Sequence, residues 1–319
     1  MIIQQFTNNN IMNIKTSIFI ILLALFVLPF QSCANRTASS QNVANENSLL
    51  WRISGNGLAQ PSYLFGTHHL IPVSFLDGVY GWREAFERTE QVVGELDMRT
   101  LMEQQMQIMQ RAAMPEGVTY ESLLSAEDLA LLDNKLTSFL GVGIAQAGTM
   151  NPAMLNLTIM TLIYQSHFPE VFTTQSIDAY FQEKALARSR PVRALDTFDS
   201  QIYALFEVNT IERQAELLLC ALRHLETGIE QLHRLHAMYE AFDISGLYAL
   251  LNEDTPCPPT AAERDAITVN RPLRCIDQLS SIIQEKPSFI AVGALHLPGE
   301  HGLIAGLRRA GFTVEAIIN

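Results

Sequence analysis

Two short apolar runs, each closed by a glycine and followed three residues later by a histidine, constrain this chain more than any other feature. They are "YLFGTHHL", Tyr63 to Leu70, and "FIAVGALHLPG", Phe289 to Gly299. Each reads as a strand ending at its glycine, Gly66 or Gly293, with His69 or His296 three positions beyond the strand end. A third run, "VVGELD", reads as a buried strand that delivers Glu95 and then Asp97. Helical patterns separate the runs. "LLWRISGNG" and "PSYLFGTHHL" predict a hairpin or two adjacent strands, "YGWREAFERTE" a short helix, and "RPVRALDTF" a further strand.

"SAEDLALLDNKLTSFLG" carries an N-capping serine, early acids and a closing glycine. Thr210 to Phe242 predicts a long amphipathic helix or a helix pair, whose His224, His233 and His236 read as ordinary helix polar groups. Met98, Met102, Met106 and Met109 fall on one helical stripe, a filler of irregular core volume or a surface for peptide. At the end, "IDQLSSIIQ", "FIAVG", "GLIAGLRRAG" and "FTVEAII" predict helix, strand, helix and strand, with Gly311 as the C-terminal cap of the last helix. The expected fold is therefore α/β, a central mixed β-sheet with flanking helices and a helix-rich middle insertion over about residues 98–250.

In open α/β sheets, ligands collect at the carboxyl ends of the strands. Two imidazoles and a carboxylate there suit a divalent metal, with Asp97 placed to orient a ligand histidine or carry a proton. The residues alone leave a second reading open, in which both histidines cap strand ends by hydrogen bonding. H-E-x-x-H and G-x-S-x-G are absent, which removes the familiar hydrolase machineries.

Charge and leader set the setting. Lys and Arg number 21 against 33 Asp and Glu, a formal charge of -12 with no basic cluster, which excludes a nucleic-acid footprint. Ile18 to Leu28 is an apolar run shorter than the roughly 20 residues that span a bilayer. Lys15 precedes it, so residues 1–32 read as a signal peptide with its start at Met12. Cys33 follows Ser32 as in a bacterial lipoprotein box, which predicts a lipid anchor in the cell envelope, outer membrane preferred, on a polar tether over residues 33–48. Export permits disulfides, and Cys257 and Cys275, flanking a Pro-rich loop and the next helix, are the expected pair. Spacing leaves connectivity open.

Taken together, "YLFGTHHL", "VVGELD" and "FIAVGALHLPGEHGLIAGLRRAGFTV" resemble the TraB/GumN family, related to the Tiki proteins and to EreA/ChaN-like folds. The resemblance covers most of Leu49 to Ile318, within a domain over 49–319, and includes the motif glycines Gly66, Gly293, Gly299 and Gly302. "NPAM", Asp178 opening a helix, and "RALDTFDSQ" with Gln201 extend it. Asp196 stands where the family usually has Glu, and Pro272 replaces an asparagine beside Arg271. The resemblance implies metal ligands at His69, Glu95 and His296, and catalytic roles for Glu95 and Arg271. It also implies roles near the site for Asp196 and Gln201, and manganese or cobalt in preference to zinc; His68, on the opposite side of the chain from His69, reads as part of a second shell or as a structural residue, beside Asp97. Arg271 is then a clamp for a substrate carboxylate or oxyanion, or an ion-pair partner of Asp196 or Asp199. The implied activity is metal-dependent hydrolysis of a peptide. Capture of a peptide or small ligand without turnover, and metal or haem handling, are the alternatives, and the oligomeric state is open.

Overall fold

A computed structural model describes residues 47–169, 175–260, 263 and 270–318, with the side chains of 101–102 and 270–275 excepted. Met12, Lys15, the Ile18 to Leu28 run, Cys33 and nearly all of the tether lie outside the described residues, as do the side chains of Arg271 and Cys275.

One mixed sheet organises the chain, in the order β4-β3-β5-β2-β1-β6. Its strands are β1 Leu50–Gly55, β2 Ser62–Thr67, β3 Gln91–Gly94, β4 Val192–Ala194, β5 Ser288–Gly293 and β6 Phe312–Ala316. β1 and β2 form the antiparallel hairpin expected of their turn-rich link, and β6 pairs antiparallel with β1. β2, β5, β3 and β4 run parallel. Every residue of β2, β3 and β5 is buried, which explains their unbroken apolar runs. β6 alternates buried and exposed positions, as suits a strand with one partner.

α1 Trp82–Glu87 precedes β3. Between β3 and β5 lie α2 Met98–Glu103, α3 Gln105–Arg111, α4 Ala126–Leu140, α5 Pro152–His167, α6 Ile177–Leu186, α7 Phe198–Ile202, α8 Ile211–Arg223, α9 Leu225–Glu240, α10 Ile244–Leu251 and α11 Asn270–Glu285. α12 Leu303–Arg309 connects β5 to β6. Phe65 and Phe289 of the sheet meet Phe181 of α6 and, in the case of Phe289, Phe86 of α1, with ring centroids 4.6–5.4 Å apart. A second core joins α4, α5, α8 and α9 through Leu132, Leu136, Leu155, Ile159, Leu218 and Leu232.

The helix-rich middle carries β4, the strand expected at "RPVRALDTF", and its α6 buries Ile177, Phe181 and Ala185 in the sheet's own core. Two expectations need correction. The methionine stripe does not lie on one helix. The chain breaks between α2 and α3 at Gln104, and α3 turns Ile108 inward, leaving Met106 68% and Met109 45% exposed. Cys257 pairs with Cys220 of α8, not with Cys275, because the Pro-rich loop folds back onto α8 and brings the two Cα atoms within 5.8 Å.

Candidate functional site

Because β3, β5 and β2 are neighbours and parallel, their carboxyl ends reach one edge of the sheet. Glu95 directly follows β3, His69 stands two residues beyond β2, and His296 ends a short 3-10 turn, Ala294–His296, after β5. The repeated phrase therefore marks two adjacent strands that end side by side, with Thr67 paired to Gly293.

The Glu95 carboxylate accepts the Gly293 backbone N–H at 2.7 Å, and His296 Nε2 lies 3.5 Å from the same Oε1. A Cβ on Gly293 would come within 3.2 Å of that oxygen, so a larger residue there crowds the carboxylate. His69 Nδ1 lies 2.8 Å from Asp178 Oδ2, and Thr67 Oγ1 donates to Asp178 Oδ1 at 2.7 Å. Burial alone raises the Asp178 carboxyl; the adjacent His69 and the hydrogen bonds from His69 and Thr67 outweigh it and hold the group below the usual carboxylate range. All four side chains keep only 11–16% of their surface accessible, sheltered yet reachable.

His68 turns away from this pair into the core. Its ring packs against Tyr164 and Tyr239 with centroids 5.7 and 5.2 Å away, and its Nδ1 accepts the Leu70 N–H. Burial, reinforced by His69 and His236, lowers its pKa to about 3, so it is a neutral wall at physiological pH. Tyr239 donates to the Gly66 carbonyl at 2.9 Å and anchors the strand end behind it.

α6 holds both halves of the edge. Asp178 fixes His69, and one turn later Gln182 donates to the Leu96 carbonyl and accepts the Met98 N–H, which pins the loop that follows Glu95. Asp97 does not orient a histidine; it caps α2 and pairs with Arg99, which holds its carboxyl low. Asp196 sits beside the site through its backbone, donating to the Glu95 carbonyl at 2.9 Å, while its Oδ1 accepts the Thr197 N–H.

The imidazole and carboxylate donors at this edge fit a divalent cation in type, and Asp178 turned to Nδ1 is the arrangement that directs a histidine's Nε2 at a metal. Among the described residues, no three His, Cys, Asp or Glu side chains are gathered closely enough to hold a metal ion. The donors are present without a closed shell.

The model of the TraB/PrgY/gumN family matches residues 49–316, nearly the whole described chain. The chain belongs to the TraB/PrgY/gumN family. No curated protein and no solved structure matches it. The family match spans all three strand ends and Asp178.

Three further glycines of the family resemblance have steric roles nearby. A Cβ on Gly302 would lie 2.1 Å from the Pro298 carbonyl oxygen and 2.4 Å from that of Leu297, neither of which can yield as a side chain can. Gly302→Ala is therefore expected to cost about 1–3 kcal/mol, read from urea unfolding; an unchanged midpoint would contradict this packing. Gly299 adopts φ of 86° beneath Tyr248, and Gly66 packs on Ala294 and Leu297.

Gln201 is not at the edge. It is buried on α7 and borders an apolar cavity of about 220 Å³ between α5, α8, α9 and α10. Arg271 lies in the first turn of α11. His236, on α9, bonds the Tyr164 hydroxyl at 2.7 Å, and exposed His233 meets His167.

Proposed function

We propose that this family member is an exported, lipid-anchored hydrolase whose working edge is built by His69, Glu95 and His296, with peptide as substrate. The observation that carries the reading is the buried Asp178–His69 pair, set on the strand next to the Glu95–His296 pair. The peptide and the lipid anchor rest on the resemblance and the leader. His69, Glu95 and His296, whose described positions leave the shell open, would have to draw together to hold the cation, manganese or cobalt in preference to zinc. When bound, such a cation supplies a Lewis acid and water acidic enough to ionise near neutral pH.

The protein's part is positional. Asp178 accepts the Nδ1 proton of His69 and so selects the tautomer with a basic Nε2. Gly293 fixes one Glu95 oxygen by its backbone N–H, which limits rotation of the carboxylate. His68, neutral and packed on two tyrosines, backs the edge. Arg271 is the candidate for the carboxylate or oxyanion of the substrate.

The test is metal content per chain for the mature domain purified without chelator and dosed with manganese, cobalt or zinc. The expected result is about one tightly held ion in the parent, lost in both His69→Ala and His296→Ala while circular dichroism stays native. Peptide cleavage should vanish with chelator and in the same variants. Metal retained by both variants would end the proposal and leave the glycine-histidine phrases as strand-end architecture.

A further inference from the structure

The cavity bordered by Gln201 lies outside the proposed catalytic edge, and its walls are aliphatic. Leu157, Met160, Leu217, Leu225, Leu232 and Leu251 are among the residues that line it. Asn156, Gln201 and Gln231 also reach the wall, and three of its polar side chains are engaged elsewhere. Gln214 donates to the Phe206 and Asn209 carbonyls and accepts the Ala153 N–H. Glu263 is bound by Arg213 and by the Thr260 N–H, and Thr161 donates to Leu157.

The predominantly apolar lining favours one class of occupant. A peptide backbone brought into the cavity would bury N–H and C=O groups against mainly apolar walls, at a cost of about 1–3 kcal/mol for each group left unpaired. An aliphatic chain asks for no partner and gains from every methylene buried. Apolar cavities of ~150 Å³ stay dry and take up small hydrocarbons, and this one is larger, at about 220 Å³.

The cavity also reaches toward the edge. Leu70, Leu235 and Leu247 line both it and the small cavity that contains His69, His68 and Gly293. We propose that the larger cavity binds one unbranched aliphatic chain, such as an acyl tail, whose attached group lies on the His69 side. Only that direction rests on the hydrolase reading; chain binding does not.

Primary alcohols from hexanol to decanol probe the site without a charge and without a carboxylate to ligate a metal. Calorimetric titration of the mature domain should give saturable 1:1 binding, tightening about fourfold per added methylene until the cavity is filled. His69→Ala should bind decanol as the parent does, which separates this result from any failure of the hydrolase reading.

Gly228 of α9 provides the blocking variant. It lines the cavity, and a Cβ there meets nothing within 4 Å. Gly228→Phe should weaken decanol binding at least tenfold with an undiminished melting temperature, because replacing a helical glycine also favours the fold. Ala221→Phe, on the α8 wall, is the independent second variant with the same expected loss. Absence of saturable decanol binding by the parent, or parent-like binding by both blocked variants, would overturn the proposal. So would a trileucine amide binding as tightly as decanol, since that would assign the cavity to peptide side chains.

Discussion

Asp178→Ala is expected to lower metal affinity about 10–100-fold and to cost about 1–3 kcal/mol of stability. Both effects follow from the same two hydrogen bonds. The carboxylate serves the Thr67 hydroxyl and the His69 ring nitrogen together, in a buried position at the start of α6. Alanine leaves both partners unserved and frees the imidazole to choose its other tautomer. Asp178→Asn separates the two consequences, because the amide can still bond both neighbours but no longer carries the charge that favours a more basic imidazole. Asparagine should therefore keep most of the stability and still lose about tenfold in affinity. Manganese titration beside urea unfolding reads the pair, and an asparagine variant that binds metal as the parent does would remove Asp178 from the site.

Breaking the Cys220–Cys257 bond should cost about 4 kcal/mol in the loop-closure model, for a sequence separation of 37 residues. The bond ties the stretch after α10 to α8, and Cys257 also forms part of the aliphatic cavity's wall. Cys257→Ser should thus lower the melting temperature and weaken decanol binding. Peptide mapping without reductant should recover Cys220 joined to Cys257. A Cys257–Cys275 peptide would contradict the chain path described above.

The sheet was legible because its signals are local. An apolar run ending on glycine reads as a strand whatever surrounds it, and Ser125 and Gly141 cap α4 at the positions their side chains and backbone freedom require. The three strand-end residues followed from the same runs. Asp178 was legible only as a helix opener. Its partners, Thr67 and His69, lie more than 100 residues away, and no local spacing reports a contact of that kind. One faint signal existed: Asp178 and Gln182 sit one turn apart beside the buried Ile177, Phe181 and Ala185, polar residues bordering a core-facing stripe.

Other features depended on tertiary packing. Met and Gln both favour helix, so nothing in the sequence announces the break at Gln104; it is Ile108, packed in a cluster with Phe198, Ile202 and Phe206, that fixes how α3 is turned. Cys220 sits in an amphipathic helix where a cysteine reads as core filler, so nearness in sequence favoured the wrong partner. The aliphatic cavity is bounded by the consecutive helices α8, α9 and α10 and by α5, which lies far from them along the chain, and its leucines taken singly read as ordinary core residues.

The strand order carries a consequence for biosynthesis. β5 is the wedge between β2 and β3, and it lies near the end of the chain. Until residues 288–293 have been made, the segments bearing His69 and Glu95 have no common neighbour in the sheet, and the third donor does not yet exist. Closing the longest of these loops is entropically slow. A chain interrupted anywhere before β5 therefore holds most of the helices but not the strand that brings the His69 and Glu95 segments side by side, so the edge is completed only when the last tenth or so of the chain is in place.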